Sequence, residues 1–145
     1  MTIEVRKALE SDIDFIAALE KENFSLPEKR EDFEKMLTDG EKVLLVATLD
    51  GEAAGYIAAY TVCRESDILT VAVEPRLRGK GIGRALLLEL ENILSEKSDA
   101  VFLEVRRSNV SARRLYESCG FSAIGERRNY YKLPTEDAIL YKKDL

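Results

Sequence analysis

The chain contains no histidine and only two cysteines. Without histidine, imidazole-based catalytic triads and HExxH metal sites are excluded. Neither Cys63 nor Cys119 has a neighbour at zinc-binding spacing, so we expect no metal site. We expect no disulfide either, and Cys119 in "YESCGF" is predicted to be a core residue rather than a nucleophile. Proton transfer must therefore use Glu, Asp, Tyr, Lys or water.

The sequence also lacks long apolar runs and an excess of positive charge. No stretch approaches the roughly 20 apolar residues of a membrane span, and the first residues, "MTIEVRKALESD", are too charged for a signal peptide. A cytoplasmic protein that does not bind membranes is therefore expected. The net charge of −5 argues against binding nucleic acid through its phosphates. Its 145 residues predict one domain over residues 1–145.

Hydrophobic periodicity predicts an α/β domain with a mixed sheet and the element order β-α-α-β-β-β-α-β-α-β-β. Ser11 is expected to cap the first helix, with Ile13 at the edge of its buried face. The dipeptide Asp50-Gly51 predicts a tight hairpin between the second and third strands.

Helix signals in the second half of the sequence are also specific. The third helix is expected over residues 82–97. Ser108 or Asn109 should cap the fourth helix, and Gly120 should end it.

The stretch "VAVEPRLRGKGIGRALL" contains a strand, a glycine-rich turn and the start of a helix. The first N–H groups of a helix have no internal partners and attract anions. Gly79, Gly81 and Gly83 would let the backbone approach such an anion closely. Basic residues surround the turn, which favours a small polyanion such as a pyrophosphate. The spacing fits neither a Walker P-loop nor a Rossmann fingerprint, and taken alone the turn could also be a flexible loop.

Three stretches together resemble the GNAT superfamily of N-acetyltransferases. The pattern Arg78-x-x-Gly81-x-Gly83 is similar to the acyl-CoA-binding motif, and "LEVRRSNVSARRLYESCGF" is similar to the second half of that fold. The ending "RRNYY…EDAILYKKDL" resembles the RimI-type ribosomal-protein-alanine N-acetyltransferases. The resemblance covers residues 3–145. It implies a GNAT fold, with a mostly antiparallel sheet of about seven strands and about four helices.

The resemblance implies acetyl-CoA as the acetyl donor. The pantetheine arm would pair with the backbone of Val71, Ala72 and Val73, which could otherwise be a plain buried strand. Asn109 would touch the cofactor, although it could instead serve only as a helix cap. The residues implied around the pyrophosphate are Arg78, Gly79, Lys80, Gly81, Ile82, Gly83 and Arg84.

Two catalytic roles follow from the same resemblance. Strand alternation puts Phe102, Glu104 and Arg106 on one face, and Glu104 matches the family's general base. Without the resemblance, Glu104 would be interpreted as a solvated surface residue. Tyr116 matches the general acid that protonates the departing thiolate, and its alternative is a core aromatic. Direct attack by the amine needs no covalent enzyme intermediate.

The acceptor groove is implied to involve Phe24, Leu26, Tyr130 and Tyr131, although the tyrosines could be ordinary strand aromatics. The resemblance implies that the acceptor is a protein N-terminus, with a ribosomal protein that begins with alanine favoured. A small amine or a lysine side chain as acceptor, and a non-catalytic CoA-binding module, remain open. A monomer or weak homodimer is expected.

Overall fold

A computed structural model describes residues 1–145, and its elements follow the predicted order. The strands are β1 Ile3–Lys7, β2 Lys42–Leu49, β3 Glu52–Val62, β4 Glu65–Val73, β5 Ala100–Arg106, β6 Ser122–Tyr131 and β7 Glu136–Asp144. The helices are α1 Ile13–Asn23, α2 Arg30–Met36, α3 Ile82–Leu94 and α4 Val110–Ser118. None of the helices is long and apolar enough to cross a membrane.

The seven strands form one sheet in the order β1-β2-β3-β4-β5-β7-β6. Every neighbouring pair is antiparallel except β4 and β5, which are parallel. Parallel neighbours need a crossover connection, and α3 lies in that connection between β4 and β5. The predicted mixed, mostly antiparallel sheet is confirmed.

The sheet buries one apolar core on each face. Residues of α3 and α4 pack on one face with Val101, Leu103 and Val105 of β5. Residues of α1 and α2 pack on the opposite face. Side chains alternate along a strand, so Phe102, Glu104 and Arg106 lie on the α1–α2 side, as the sequence predicts.

The parallel pairing of β4 and β5 is short. It joins only Glu65, Ser66 and Asp67 to Ala100, Val101 and Phe102. The register between β3 and β4 then shifts so that Leu69 is an extra residue opposite Ala58 and Ala59, which is a β-bulge. Beyond this point β4 and β5 continue without pairing, and the sheet is open between residues 68–73 and residues 103–106.

Two details of the first helix correct the prediction. Ser11 does not cap α1, because a 3₁₀ turn over Glu10–Asp12 precedes the helix. The carboxylate of Asp12 accepts the Leu9 N–H at 2.8 Å and two hydrogen bonds from Arg6 at 2.6 and 3.0 Å. Ile13 is fully buried rather than at the edge of the apolar face, because the turn starts the helix with this side chain inside the core.

Helix α3 ends at Leu94, three residues before its predicted end. Its last turn closes because the N–H groups of Lys97 and Ser98 both donate to the Leu94 carbonyl at 2.9 Å. Other predicted ends are confirmed: Asp50 and Gly51 form the β2–β3 turn, and Gly120 follows α4 with a φ of +95°. Cys119 is buried in the larger core, as expected.

The Arg6–Asp12 pair should stabilise the start of α1 in a pH-dependent way. The hydrogen bond from Arg6 is the main reason that the pKa of Asp12 lies below its usual range. Its stabilisation is therefore present above the unfolded-state pKa of about 3.9 and is lost as the pH falls through the lower folded-state pKa. We expect Arg6→Gln to lower the free energy of unfolding by about 1–2 kcal/mol at pH 7, and by much less near pH 2. Urea denaturation at both pH values measures this difference.

Arg30→Gln is the matched control, because Arg30 pairs with Asp14, whose side chain is 89% exposed. Its effect should be roughly 0–1 kcal/mol. An equal loss for Arg6→Gln at both pH values would mean that the apolar stem of Arg6, and not its charge, is responsible.

Candidate active site

A cavity of about 690 Å³ occupies the opening between β4 and β5. The α1–α2 loop, the glycine-rich turn, the first turn of α4 and the end of β6 complete its wall. The structure therefore brings together residues from both halves of the sequence. Every predicted site residue lines this cavity except Lys80.

The edge of β4 presents free backbone groups to the cavity. Glu74 donates its N–H to the Ala54 carbonyl across β3 at 2.8 Å. Since backbone groups alternate along a strand, those of Val71 and Val73 point the other way, towards β5. No strand pairs with them there. The Val73 carbonyl accepts a long hydrogen bond from Arg78 Nε at 3.4 Å, so the two N–H groups and the Val71 carbonyl are the groups free to bind a ligand.

The glycine-rich turn presents a run of free donors. None of the backbone N–H groups from Gly79 to Arg84 has an acceptor in the protein, and the first α3 bond is donated by Ala85 to Gly81 at 3.0 Å. Gly79 and Gly81 have φ values of +79° and +91°. Residues that carry a Cβ atom disfavour this left-handed conformation. The turn therefore has the donors and the charge of an anion site at a helix N-terminus.

Gly83 is required for helix packing and not for an unusual backbone conformation. Its conformation is helical, and a Cβ there would lie 2.9 Å from the Leu115 side chain. The residue therefore allows α3 to pack closely on α4, rather than supplying an unusual backbone angle.

The two arginines in the cavity wall are held by neighbouring elements. Arg78 donates to the side-chain oxygen of Asn23 on α1 at 2.6 Å. Arg84 donates to the hydroxyl of Ser118 on α4 at 2.7 Å. These contacts fix positive charge on both sides of the glycine-rich turn.

Asn109 caps α4. Its side-chain oxygen accepts the N–H of Ala112 at 3.2 Å, which confirms one of the two predicted caps. Its amide nitrogen donates to no protein atom, and the residue also lines the cavity. The capping role therefore leaves a donor free for a ligand.

Glu104 reaches the cavity from the α1–α2 side of the sheet. Its side chain is 23% exposed and forms an ion pair with Arg127 on β6, with 3.3 Å between Nε and Oε1. Burial and then the negative charge of Glu104 raise the pKa of Tyr130 above its ordinary value. Sequence reasoning missed Arg127, although it belongs to the stretch "RRNYY".

Tyr116 has its ring in the core and its hydroxyl free. Its ring lies in the α3–α4 core, with ring centroids 5.9 Å from Phe121 and 6.3 Å from Tyr141. Its hydroxyl makes no hydrogen bond in the protein, and the residue lines the cavity. Burial raises its pKa, so the phenol is protonated at neutral pH. Glu104 and Tyr116 thus enter one cavity from opposite faces of the sheet.

Aromatic and apolar side chains surround the part of the cavity near Glu104. The rings of Tyr130 and Tyr131 are 5.1 Å apart and nearly perpendicular. Burial is the main reason that the pKa of Tyr131 rises to about 12. Phe24 and Leu26 of the α1–α2 loop line the same cavity and are 39% and 67% exposed. These side chains could contact the first residues of an extended peptide.

Glu20 is a site residue that sequence reasoning missed. It is only 3% exposed and accepts hydrogen bonds from Tyr56 at 2.5 Å, Thr70 at 2.6 Å and the Glu28 N–H at 2.9 Å. These bonds tie the α1–α2 loop to β3 and β4. The available signal was its position four residues after Ile16 on the buried face of α1.

Comparison with known proteins agrees with this geometry. The acetyltransferase (GNAT) family pattern matches residues 12–121. The ribosomal protein bS18 alanine N-acetyltransferase of Escherichia coli K12 is 41% identical over 107 residues, covering 70% of this chain and 71% of that protein. The N-alpha-acetyltransferase RimI of Mycobacterium tuberculosis is 34% identical over 116 residues, covering 77% of this chain and 72% of that protein.

A solved structure gives the same result over nearly the whole chain. The crystal structure of the Escherichia coli ribosomal-protein-S18-alanine N-acetyltransferase superposes with a TM-score of 0.88 at 29% identity, covering 99% of this chain and 94% of that one. The chain therefore belongs to the GNAT family, as an acetyl-CoA-dependent N-acetyltransferase of the RimI type.

Proposed function

We propose that residues 1–145, acting as one domain, transfer the acetyl group of acetyl-CoA to the N-terminal α-amine of a protein. A ribosomal protein that begins with alanine is the favoured acceptor, in line with the name of the Escherichia coli relative. The observation that carries the proposal is the convergence of Glu104 and Tyr116 on one cavity beside the free edge of β4. A cytoplasmic location and a monomer or weak homodimer stay predictions.

Acetyl-CoA fits the donor groups of this cavity. The free N–H groups from Gly79 to Arg84 would hold the pyrophosphate. The backbone of Val71 and Val73 would pair with the amide groups of the pantetheine arm, and the free amide of Asn109 could donate to it. Lys80 would contribute through its backbone N–H, because its side chain does not line the cavity.

The chemistry favours an α-amine over a lysine. The attacking amine must be neutral, and the ordinary pKa is about 7.7–8.0 for a peptide α-amine and about 10.4 for a lysine side chain. Neutralising them at pH 7 costs about 1.2 and 4.6 kcal/mol respectively, at about 1.36 kcal/mol per pH unit. A carboxylate base therefore has a much easier task with an N-terminus.

We assign the proton transfers to two residues. Glu104 would take the proton of the amine as its nitrogen bonds to the thioester carbon, directly or through a water. A backbone N–H of Val71 or Val73 would stabilise the oxyanion. When the C–S bond breaks, Tyr116 would protonate the thiolate. Because its pKa is raised, this transfer is less favourable than from an ordinary phenol near 10.

Mass spectrometry of a peptide pool tests the acceptor class. Peptides that vary in the first residue, each with a free or blocked N-terminus, are incubated with the protein and acetyl-CoA. We expect acetylation only at free α-amines, and most strongly on alanine starts. Acetylation of blocked peptides would assign the acceptor to lysine. If CoA binds but no peptide is acetylated, the proposal is wrong, and the acceptor is a small amine or the protein is a non-catalytic CoA-binding module.

Variants at the two proton-transfer positions test the mechanism. Glu104→Gln should lower kcat roughly 100-fold or more, and Tyr116→Phe roughly 10- to 100-fold, because each loses a proton-transfer group. Binding of acetyl-CoA, measured by calorimetry, should change little in either variant. Glu4→Gln on β1 and Tyr60→Phe on β3 are the matched controls, because neither residue lines the cavity. Unchanged turnover in both test variants would contradict the roles assigned to Glu104 and Tyr116.

The anion site is tested at Gly81. Alanine at a φ of +91° is strained by roughly 1–2 kcal/mol, so the turn should lose its donor geometry. We expect Gly81→Ala to raise the Kd for CoA about tenfold, with little change in the KM for the peptide. Gly40→Ala is the control, because no atom lies within 4 Å of the added Cβ. Equal CoA affinity in both variants would contradict this placement of the pyrophosphate.

A further inference from the structure

Tyr130 and Tyr131 follow one another in β6, yet both line the cavity. In a regular strand, successive side chains point to opposite faces. One of the two should therefore face away from the acceptor, and something in β6 must change the alternation.

The change comes from an irregular bulge in β6, at its pairing with β7. Arg127 pairs with Ala138 and Tyr131 pairs with Glu136, so residues 128–130 lie opposite the single residue Asp137. Asn129, in the middle of the bulge, has a φ of +51°. Asparagine accepts this left-handed conformation better than most residues. The bulge rotates the chain so that both rings reach the cavity.

Asp137 is bonded to the strands on both sides of it. Its side-chain oxygen accepts the Asn129 N–H at 2.9 Å. Its backbone carbonyl accepts the N–H of Arg107, which follows β5, at 3.1 Å. The bulge in β6 is thereby fixed relative to β5, the strand that carries Glu104.

Arg106 fixes the chain on the other side of the tyrosines. Its guanidinium donates to the carbonyls of Lys132 at 2.9 Å and Pro134 at 2.8 Å, and it lies 4.7 Å from the centre of the Tyr131 ring. The chain that carries the two rings is therefore fixed by Asp137 at the bulge before them and by Arg106 after them, with the rings at a right angle to each other.

We propose that Asp137 and Asn129 are positioning residues for the acceptor. Together they form a clamp that keeps Tyr130 and Tyr131 side by side next to Glu104. The pair then presents two fixed aromatic surfaces to the first residues of an extended peptide. The inference rests on the proposed function, since it assumes that a peptide N-terminus binds at this end of the cavity.

Steady-state kinetics with a peptide that begins with alanine tests the clamp. Asp137→Ala removes the acceptor of the Asn129 N–H, and we expect the KM for the peptide to rise about tenfold. The KM for acetyl-CoA should stay within about twofold, because the clamp does not touch the glycine-rich turn. Asp137→Asn keeps a side-chain oxygen and should restore most of the affinity.

A second pair of variants keeps the test decisive if Asp137→Ala does not fold. Asn129→Gly tolerates the left-handed conformation and should resemble the wild type. Asn129→Ala does not tolerate it and should show the same rise in the KM for the peptide. Asp50→Ala is the control for general destabilisation, because Asp50 also has a positive φ and accepts the backbone N–H of Thr2 at 2.7 Å, far from the cavity.

Ring signals in NMR spectra of ¹³C-tyrosine-labelled protein separate this inference from the proposed function. Tyr130→Phe and Tyr131→Phe assign the two resonances. Both should move in Asp137→Ala and stay in place in Asp50→Ala. If the wild type acetylates no peptide, the proposed function fails, and the clamp is still judged by these signals. Unmoved signals, or an unchanged KM for the peptide in both Asp137→Ala and Asn129→Ala, would overturn the clamp.

Discussion

The short parallel ladder between β4 and β5 is the constraint on which the site depends. Only three residue pairs form it, and its closed end is reinforced by polar contacts. Arg64 donates to the carboxylate of Asp99 at 2.9 and 3.0 Å, and the buried hydroxyls of Ser66 and Ser98 are hydrogen-bonded. The strands are thus joined firmly at one end and free at the other. A longer ladder would consume the backbone donors of Val71 and Val73 and would close the cavity.

The opening between β4 and β5 also explains why the two residues to which we assign the proton transfers come from different faces of the sheet. Glu104 is on the α1–α2 face of β5, whereas the Tyr116 ring belongs to the α3–α4 core. In a continuous sheet these side chains would be separated by backbone. The opening lets both reach one cavity, so that in the proposed mechanism one proton leaves on one face and another is supplied from the opposite face. This arrangement suits a direct transfer without an enzyme-bound acetyl group.

The sequence predicts the elements well, because periodicity and turn residues are local signals. It also predicts the face of Glu104, since alternation along β5 depends on the strand alone. Ser11 was wrong as a cap because the neighbouring Asp12 accepts the Leu9 N–H and is held by Arg6 of β1, and the contact with Arg6 is between two elements. Glu20, Arg127 and Asp137 were missed for the same reason. The position of Glu20 on the buried face of α1 was a signal that it is buried, but its partners Tyr56 and Thr70 lie on other elements. Arg127 pairs with Glu104 on another strand, and Asp137 acts on a bulge whose register the sequence does not indicate.

The end of the cavity to which we assign the acceptor has one wall from each side of the opening between β4 and β5. The α1–α2 loop is tied to β3 and β4 through Glu20, and the β6–β7 hairpin is tied to β5 through Arg106 and the Asp137 carbonyl. The distance between these walls is therefore set by the same ladder that frees the edge of β4. In the proposed mechanism, the geometries of the acetyl donor and of the acceptor are therefore coupled through this ladder. A change that widens the opening to admit a larger acceptor would also move the backbone proposed to hold the thioester.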